Sequence, residues 1–373
     1  RANYLVENKD KLEFSRKAEL YGEVMFLRAY YYFELVKIFG DVPLFTQSRL
    51  TASDSNTLTR AAKATVYAQI EKDLQDAIAA LPAAKSTNGR ATSFTAHALL
   101  GKVYLYQDKF EEAATILEPL IGLYTLPSSL QSVFYNSGQN GPESVFEVQH
   151  SKNSNWFDWG FPQGSEGSFA IIHHGPRGYN GSVYASGWSF NVPSQDLYDA
   201  YDAADTRRGV AILDIVAWAA STGAEYSEGY EHTGYFNHKY IPRAGLSGAQ
   251  QELNYGINYR AIRYADVLLM AAEANSRKAS PNDSKAQNYL NQVRARAFGN
   301  NSRASSSTGA TLTKEIWNER RLELAMEGHR FFDLVRTGEA AATIPGFIAG
   351  KHEVFPIPQT EIDISGLTQN AGY

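Results

Sequence analysis

The sequence predicts a mostly α-helical fold in which helical hairpins flank a loop-rich insertion containing a few short strands. Three observations carry this. Apolar residues recur at helical spacing in the first and last thirds of the chain, Gly and Pro stand at the ends of those stretches, and the span between them loses the period. With 373 residues, 43% hydrophobic and 20% charged side chains, the chain can bury a large core.

The first helix is expected over residues 16–39, with one Gly, no Pro and aromatic side chains on several faces, as suits a helix packed on more than one side. Gly40-Asp41-Val42-Pro43 ends it, because Gly caps and Pro forbids continuation. A second helix, 64–81, sets Val66, Ile70, Leu74, Ala77, Ile78 and Leu81 on one face before Pro82. A third, 94–106, is followed after a turn at 107–109 by a fourth, 111–123. In LLGKVYLYQDKFEEAATILEPLI, the residues Leu100, Gly101, Tyr104, Ala113 and Leu117 match a tetratricopeptide unit, whose small Gly101 lets two helices approach closely.

These N-terminal hairpins span 12–135. The insertion, 136–259, is rich in Gly, Asn, Ser and aromatic residues, with strand-like pieces at 144–149 and 234–241. A connection this long implies structure of its own and a functional role. C-terminal hairpins follow over 260–336, from helices at 260–277, 284–298 and 314–335. A tail, 337–373, carries Pro356 and Pro358 and reads as extended. All four segments are expected to form one domain, 1–373.

The net charge of −5 and a pI near 6.0 provide no basic field for nucleic acid. The absence of Cys excludes disulfides and thiolate metal sites. No apolar run approaches the roughly 20 residues of a spanning helix. The aromatic content is high, at 23 Tyr, 19 Phe and 5 Trp, and rings with a polar edge suit a surface that must stay wet when empty.

Ten ordered segments resemble the SusD/RagB family: FLRAYYYFELVKIFGDVPL (26–44), EKDL (71–74), GRATSFTAHALLGKVYL (89–105), ESVFEVQ (143–149), GWSFNVPSQDLYDAY (187–201), DTRRG (205–209), YRAIRYADVLLMAAEA (259–274), NQVRARA (291–297), ERRLELAMEGHRFFDLVRTG (319–338), and FPIPQTEID with TQNAGY (355–373). The resemblance implies a SusD-like, tetratricopeptide-like scaffold and a lipid-anchored protein on the extracellular face of the cell outer membrane. It also implies a glycan ligand, or a peptide in some members, and a SusC-type TonB-dependent transporter as partner. Family members carry a signal peptide, an acylated Cys and a further segment before the first motif, so the chain is expected to be truncated and its anchor to lie outside it.

Glycan capture calls for flat rings to stack on sugar C–H faces and for amides and carboxylates to meet hydroxyls. Asn155, Trp156, Asp158 and Trp159 offer this chemistry in one polar loop, the alternative being that a Trp packs beneath it. Tyr179, Tyr184 and Trp188 lie in a Gly-rich stretch with Asn180, and Trp188, inside a family-like motif, suits a structural role as well. Tyr226, Tyr230 and Tyr235 form a third group.

On the charged stretch 319–336, Arg320 and Glu323, Glu327 and Arg330, and Arg330 and Asp333 fall three residues apart, which favours an ion-pair network over catalysis. His173-His174 is a poor metal pair because adjacent side chains diverge. Calcium held by loop carbonyls would need no compact motif. No metal or other cofactor is called for. Asp158, Glu166, Asp196 and Asp199 leave a glycoside hydrolase as a rival to a non-catalytic receptor. A tetratricopeptide peptide adaptor is a second rival, disfavoured by the interrupted repeats.

Overall fold

A computed structural model describes residues 1–11, 13–46, 51, 54, 58–84, 87–135, 138–153, 166–229, 231–248 and 254–373. They form two compact units, Arg1–Leu120 with Arg330–Tyr373, and Ile121–His329. The unit boundaries therefore fall at 120/121 and 329/330, away from the segment boundaries read from the sequence.

The first unit opens with α1 (Ala2–Glu7), α2 (Lys17–Phe39), the paired strands β1 (Val42–Pro43) and β2 (Arg60–Ala61), α3 (Lys63–Ala80), α4 (Ser93–Leu105) and α5 (Phe110–Leu117). Each of α2 to α5 packs on the next, as stacked hairpins require. Gly40, at φ +71°, ends α2 in a conformation that favours glycine. Thr92 and Thr95 form a capping box at the start of α4, with side chain to backbone bonds of 3.1 and 3.2 Å. Arg28 on α2 grips Asp73 on α3 through two buried hydrogen bonds of 2.7 and 2.6 Å. A Cβ at Gly101 would run into Leu117, so the close approach of α4 and α5 depends on glycine. Helix α5 ends short of the expected residue 123, because Pro119 cannot donate and the chain tightens into a 3₁₀ turn at Glu118–Leu120.

In the second unit, α6 (Gln131–Phe134) precedes β3 (Ser144–Val148), α7 (Ala170–His173), α8 (Gln195–Asp199), α9 (Arg208–Ala211), β4 (Ile212–Asp214), α10 (Ile215–Thr222) and β5 (Tyr235–Asn237). Strand β6 (Tyr259–Arg263) then leads into α11 (Tyr264–Arg277), α12 (Asp283–Phe298) and α13 (Gly309–Glu323), which pack on one another. The expected helix at 260–277 starts four residues late. Residues 260–263 instead pair antiparallel with β3, placing Arg260 opposite Glu147 and Tyr259 opposite Val148. Local spacing could not show this, since the pairing joins segments more than a hundred residues apart.

The expected helix at 314–335 is also broken. Helix α13 stops at Glu323, and Met326 and Gly328 follow with φ of +65° and +85°. Two buried cations replace the missing helical bonds: Lys239 and Arg263 donate to the Glu323 carbonyl at 2.8 and 2.7 Å. Cations suit the negative end of a helix. An ion-pair network surrounds them, as the sequence suggested, but its partners are remote. Arg320 pairs with Asp266 at 2.8 Å, Arg207 with Glu319 at 2.6 Å and Glu323 at 3.0 Å, and Arg263 with Glu143 and Glu323 at 2.6 Å each. Arg296 bonds Glu143 at 2.8 Å and also reaches Glu323.

The chain then returns to the first unit as α14 (Arg330–Arg336), α15 (Ala340–Thr343) and α16 (Gln359–Ser365). The Lys37 ammonium of α2 sits 4.4 Å from the Phe332 ring centre. The tail expected to be extended contains α16, closed by Gly366 at φ +69°. Asn370 pins its end, donating to the carbonyls of Phe39 and Phe355 at 3.0 and 2.7 Å.

Candidate functional site

Strands β3 and β6 end with Val148 and Tyr259 side by side, both open to solvent, although apolar side chains usually turn inward. They border a cavity of about 580 Å³ lined also by His150, Phe169, His174, Asn191, Tyr240, Asn258 and the Met326-Glu327-Gly328 turn. Phe169 is 51% exposed and Tyr259 39% exposed. Beside them the rings of Phe169, His173, Trp188 and Phe190 adjoin in series, with centroids 6.0, 4.8 and 6.3 Å apart.

Backbone geometry presents this series. Residues 188–190 bond to the end of α7 and its exit, through Trp188 N to Ile172 O, Ser189 N to Gly175 O, and Phe190 N to His173 O at 2.8–2.9 Å. Gly175 and Gly187 allow these segments to meet, since a Cβ on Gly187 would collide with the Gly175 backbone. Ser189 and Asn191 adopt φ of +59° and +52°, which turns Phe190 outward to 54% exposure. Non-glycine residues hold such angles only where surrounding contacts impose them.

The polar groups of the cavity are ordered. Asn258 accepts from His150 N at 2.9 Å and donates to Glu147 at 2.9 Å and Gln149 at 3.1 Å. Burial lowers the pKa of His150, and burial with the neighbouring His173 pushes His174 down to about 4, so both imidazoles are neutral at pH 7. Burial alone would raise the Glu327 carboxyl. Arg263 and Lys239, bonded at 2.8 and 2.6 Å, hold it instead at about 2.

Asn155, Trp156, Asp158 and Trp159 lie outside the described residues. The described residues on either side of them meet next to the cavity-lining His150 and Gly167, where Ser151 N donates to Glu166 O at 2.9 Å. Tyr179 and Tyr184, expected to face a ligand, are 8% and 4% exposed and belong to a core with Leu213, Ile215, Phe236 and Ile241. Tyr179 accepts from the Trp218 indole at 3.1 Å. His238 Nδ1 donates to Gly209 O at 2.7 Å, which leaves Nε2 to accept from the Tyr184 hydroxyl at 2.9 Å. Neither tyrosine offers a free ring face. Trp188 is half-buried against a second core group, and its ring adjoins His173 in the series beside the cavity.

Tyr230 is outside the described residues. Tyr226 packs on the core around Tyr179, whereas Tyr235 stacks on Tyr198 at 4.5 Å beside a different one. Asp196 pairs with Arg321 at 2.5 Å and Asp199 accepts from Gln195 at 2.9 Å, while Asp158 is outside the described residues. Among the described residues, no three His, Asp or Glu gather as metal ligands and no helix is long and apolar enough to cross a membrane.

Phe169, Phe190, Tyr259, His150, Asn191 and Asn258 were not singled out in the sequence. Phe190 had a signal, lying in the GWSFNVP segment, but that segment read as structural. Tyr259 was hidden because it stood at the edge of an expected helix.

Comparison with known proteins supplies the family. A sequence model described as "SusD family" matches residues 214–353, and one described as "Starch-binding associating with outer membrane" matches residues 2–105. SusD-like protein P2 of Formosa agariphila is 29% identical over 94% of this chain and 74% of its own length. The solved structure of a laminarin-binding SusD-like protein is 39% identical, covering 100% of this chain and 83% of its own, with a TM-score of 0.89. Surface glycan-binding protein A from Bacteroides thetaiotaomicron, solved in complex with laminarihexaose, is 27% identical, covering 99% and 82%, with a TM-score of 0.87. The stacked hairpins, the loop-rich unit and these likenesses agree: the chain belongs to the SusD family.

Proposed function

We propose that this protein is a non-catalytic receptor that captures an oligosaccharide and passes it to a SusC-type TonB-dependent transporter at the extracellular face of the outer membrane. The observation that carries the reading is the set of open rings, with Phe169 and Tyr259 lining the cavity and Phe190 in the ring series beside it, together with the amide and neutral imidazole groups of the cavity wall. Such rings match the apolar faces of sugars, and the planar amides match their hydroxyls. Trp156 and Trp159, in the sequence between Ser151 and Glu166, would add two more rings.

The glycan ligands of the laminarin-binding and laminarihexaose-bound relatives support the ligand class. The partner and the membrane face rest on family membership. The reading makes each contact shallow and affinity per site modest, with avidity supplied by clustering or by the transporter. The loop tryptophans Trp156 and Trp159 also favour sugar over the peptide ligand of a RagB-like receptor.

A panel of plant, host and microbial glycans, with a reducing-end assay on every hit, tests the proposal. Binding without new reducing ends is expected. Release of new ends would make the protein a glycoside hydrolase, and a blank panel would favour a peptide ligand. Alanine at both Trp156 and Trp159 should weaken binding of a confirmed glycan while the melting temperature stays put. Normal binding by that double variant would remove the two residues from the site.

A further inference from the structure

The cavity offers a bound molecule almost no charge. Its described polar lining includes the neutral imidazoles of His150 and His174, the amides of Asn191 and Asn258, the Tyr259 ring, and one ionised group, Glu327. Glu327 is sealed. It is 3% exposed, with Lys239 on Oε1 at 2.6 Å and Arg263 on Oε1 and Oε2 at 2.8 Å each.

The cations behind it cannot be redirected. All five N–H groups of Arg263 are in use, toward Glu143, Glu323, the Glu323 carbonyl and both oxygens of Glu327. Lys239 is committed to Glu327 and the Glu323 carbonyl. Two cations on the flanking loops are also turned to backbone, Lys152 to Gly245 O at 2.8 Å and Arg177 to Trp188 O at 2.9 Å.

We propose that this cavity selects uncharged oligosaccharides and rejects sulfated or uronic-acid ones. The inference rests on reading the cavity as a glycan site and adds the charge class of the ligand. A carboxylate or sulfate entering it would shed water with no Lys or Arg among the described lining residues to replace the lost solvation, which is a cost that neutral sugars do not meet. A neutral chain can lay its C–H faces on Phe169 and Tyr259 and its hydroxyls on Asn191, which is exposed at the rim. Its affinity should then be nearly independent of salt, because no ion pair is formed.

The test is calorimetric titration of the full chain at pH 7 with laminarihexaose, an uncharged glucose oligomer, and with an oligomannuronate of the same length, each at about 20 and about 500 mM NaCl. Laminarihexaose is expected to bind with a Kd that changes less than about twofold between the two salts, and the anionic oligomer to bind roughly thirtyfold more weakly or not at all. Phe169→Ala with Tyr259→Ala should abolish or greatly weaken the laminarihexaose signal, assigning it to this cavity. Tight binding of the anionic oligomer that fades with salt would overturn the charge selectivity while leaving glycan capture intact. Unchanged laminarihexaose binding by the double variant would overturn the placement in this cavity. Binding of neither oligomer, nor of any glycan in the wider panel, would overturn the capture reading itself.

Discussion

Phe169 and Phe190 show how single residues set the character of this surface. Each exposes about half of its side chain, and Phe190 does so between two non-glycine residues held at positive φ. A ring that supports little of the core can be removed at little cost in stability. Phe169→Ala is expected to change unfolding free energy by less than about 0.5 kcal/mol while weakening a confirmed oligosaccharide by about 1 kcal/mol, or roughly fivefold. Paired calorimetry and thermal melts measure both, and an unchanged affinity would remove Phe169 from the site. The tyrosines carry the opposite lesson. Tyr179 and Tyr184 sit in a Gly-rich stretch that looks like a recognition loop, yet their hydroxyls satisfy Trp218 and His238 inside a core. Nothing in their immediate sequence distinguishes a ring folded inward from one left out.

At the scale of elements, the helical hairpins were legible because their signals are local. Gly101 and Leu117 were already aligned in the sequence, and the structure puts them in contact. Gly101→Val should cost about 1–3 kcal/mol through overpacking, measured by urea unfolding, and Leu117→Ala in the same chain should recover part of that loss. Failure of the second change to help would mean that the strain lies elsewhere. The end of α13 was not legible. It stops because Lys239 and Arg263, distant in sequence, bind its last carbonyl, and because the Met326 to Gly328 turn follows. Glu323→Gln would leave Arg207, Arg263 and Arg296 short of a buried anion, and a loss of about 3–5 kcal/mol is expected. A loss under about 1 kcal/mol would show that the network tolerates the missing charge.

Across the whole molecule, buried imidazoles tie stability to pH. Burial holds His174 and His238 at about 4, against 6.5 for the free group. Between those values the unfolded chain binds protons that the folded chain refuses, so the stability carried by these two imidazoles falls as pH drops through that window, and their own contribution levels off below it. Glu327, held at about 2 against 4.5 for the free group, adds to the loss at the acid end, because its carboxyl protonates in the unfolded chain near pH 4.5 while the folded chain keeps it ionised. The melting temperature should therefore be lower at about pH 4.5 than at about pH 7.5, and His238→Gln should flatten the decline. Equal slopes in the two proteins would assign the acid loss to other groups.

The sequence by itself determined the helical scaffold, the order of its motifs and hence the family, because helix spacing, caps and breakers act over a few residues. The tertiary structure alone decided which charges pair, where 259–263 becomes a strand, and which aromatic rings face solvent. Those outcomes depend on neighbours brought from a hundred or more residues away. The exposure of a loop ring is a property of what packs behind it, and the same residue types can be written into a core or left on a rim without any change in local pattern.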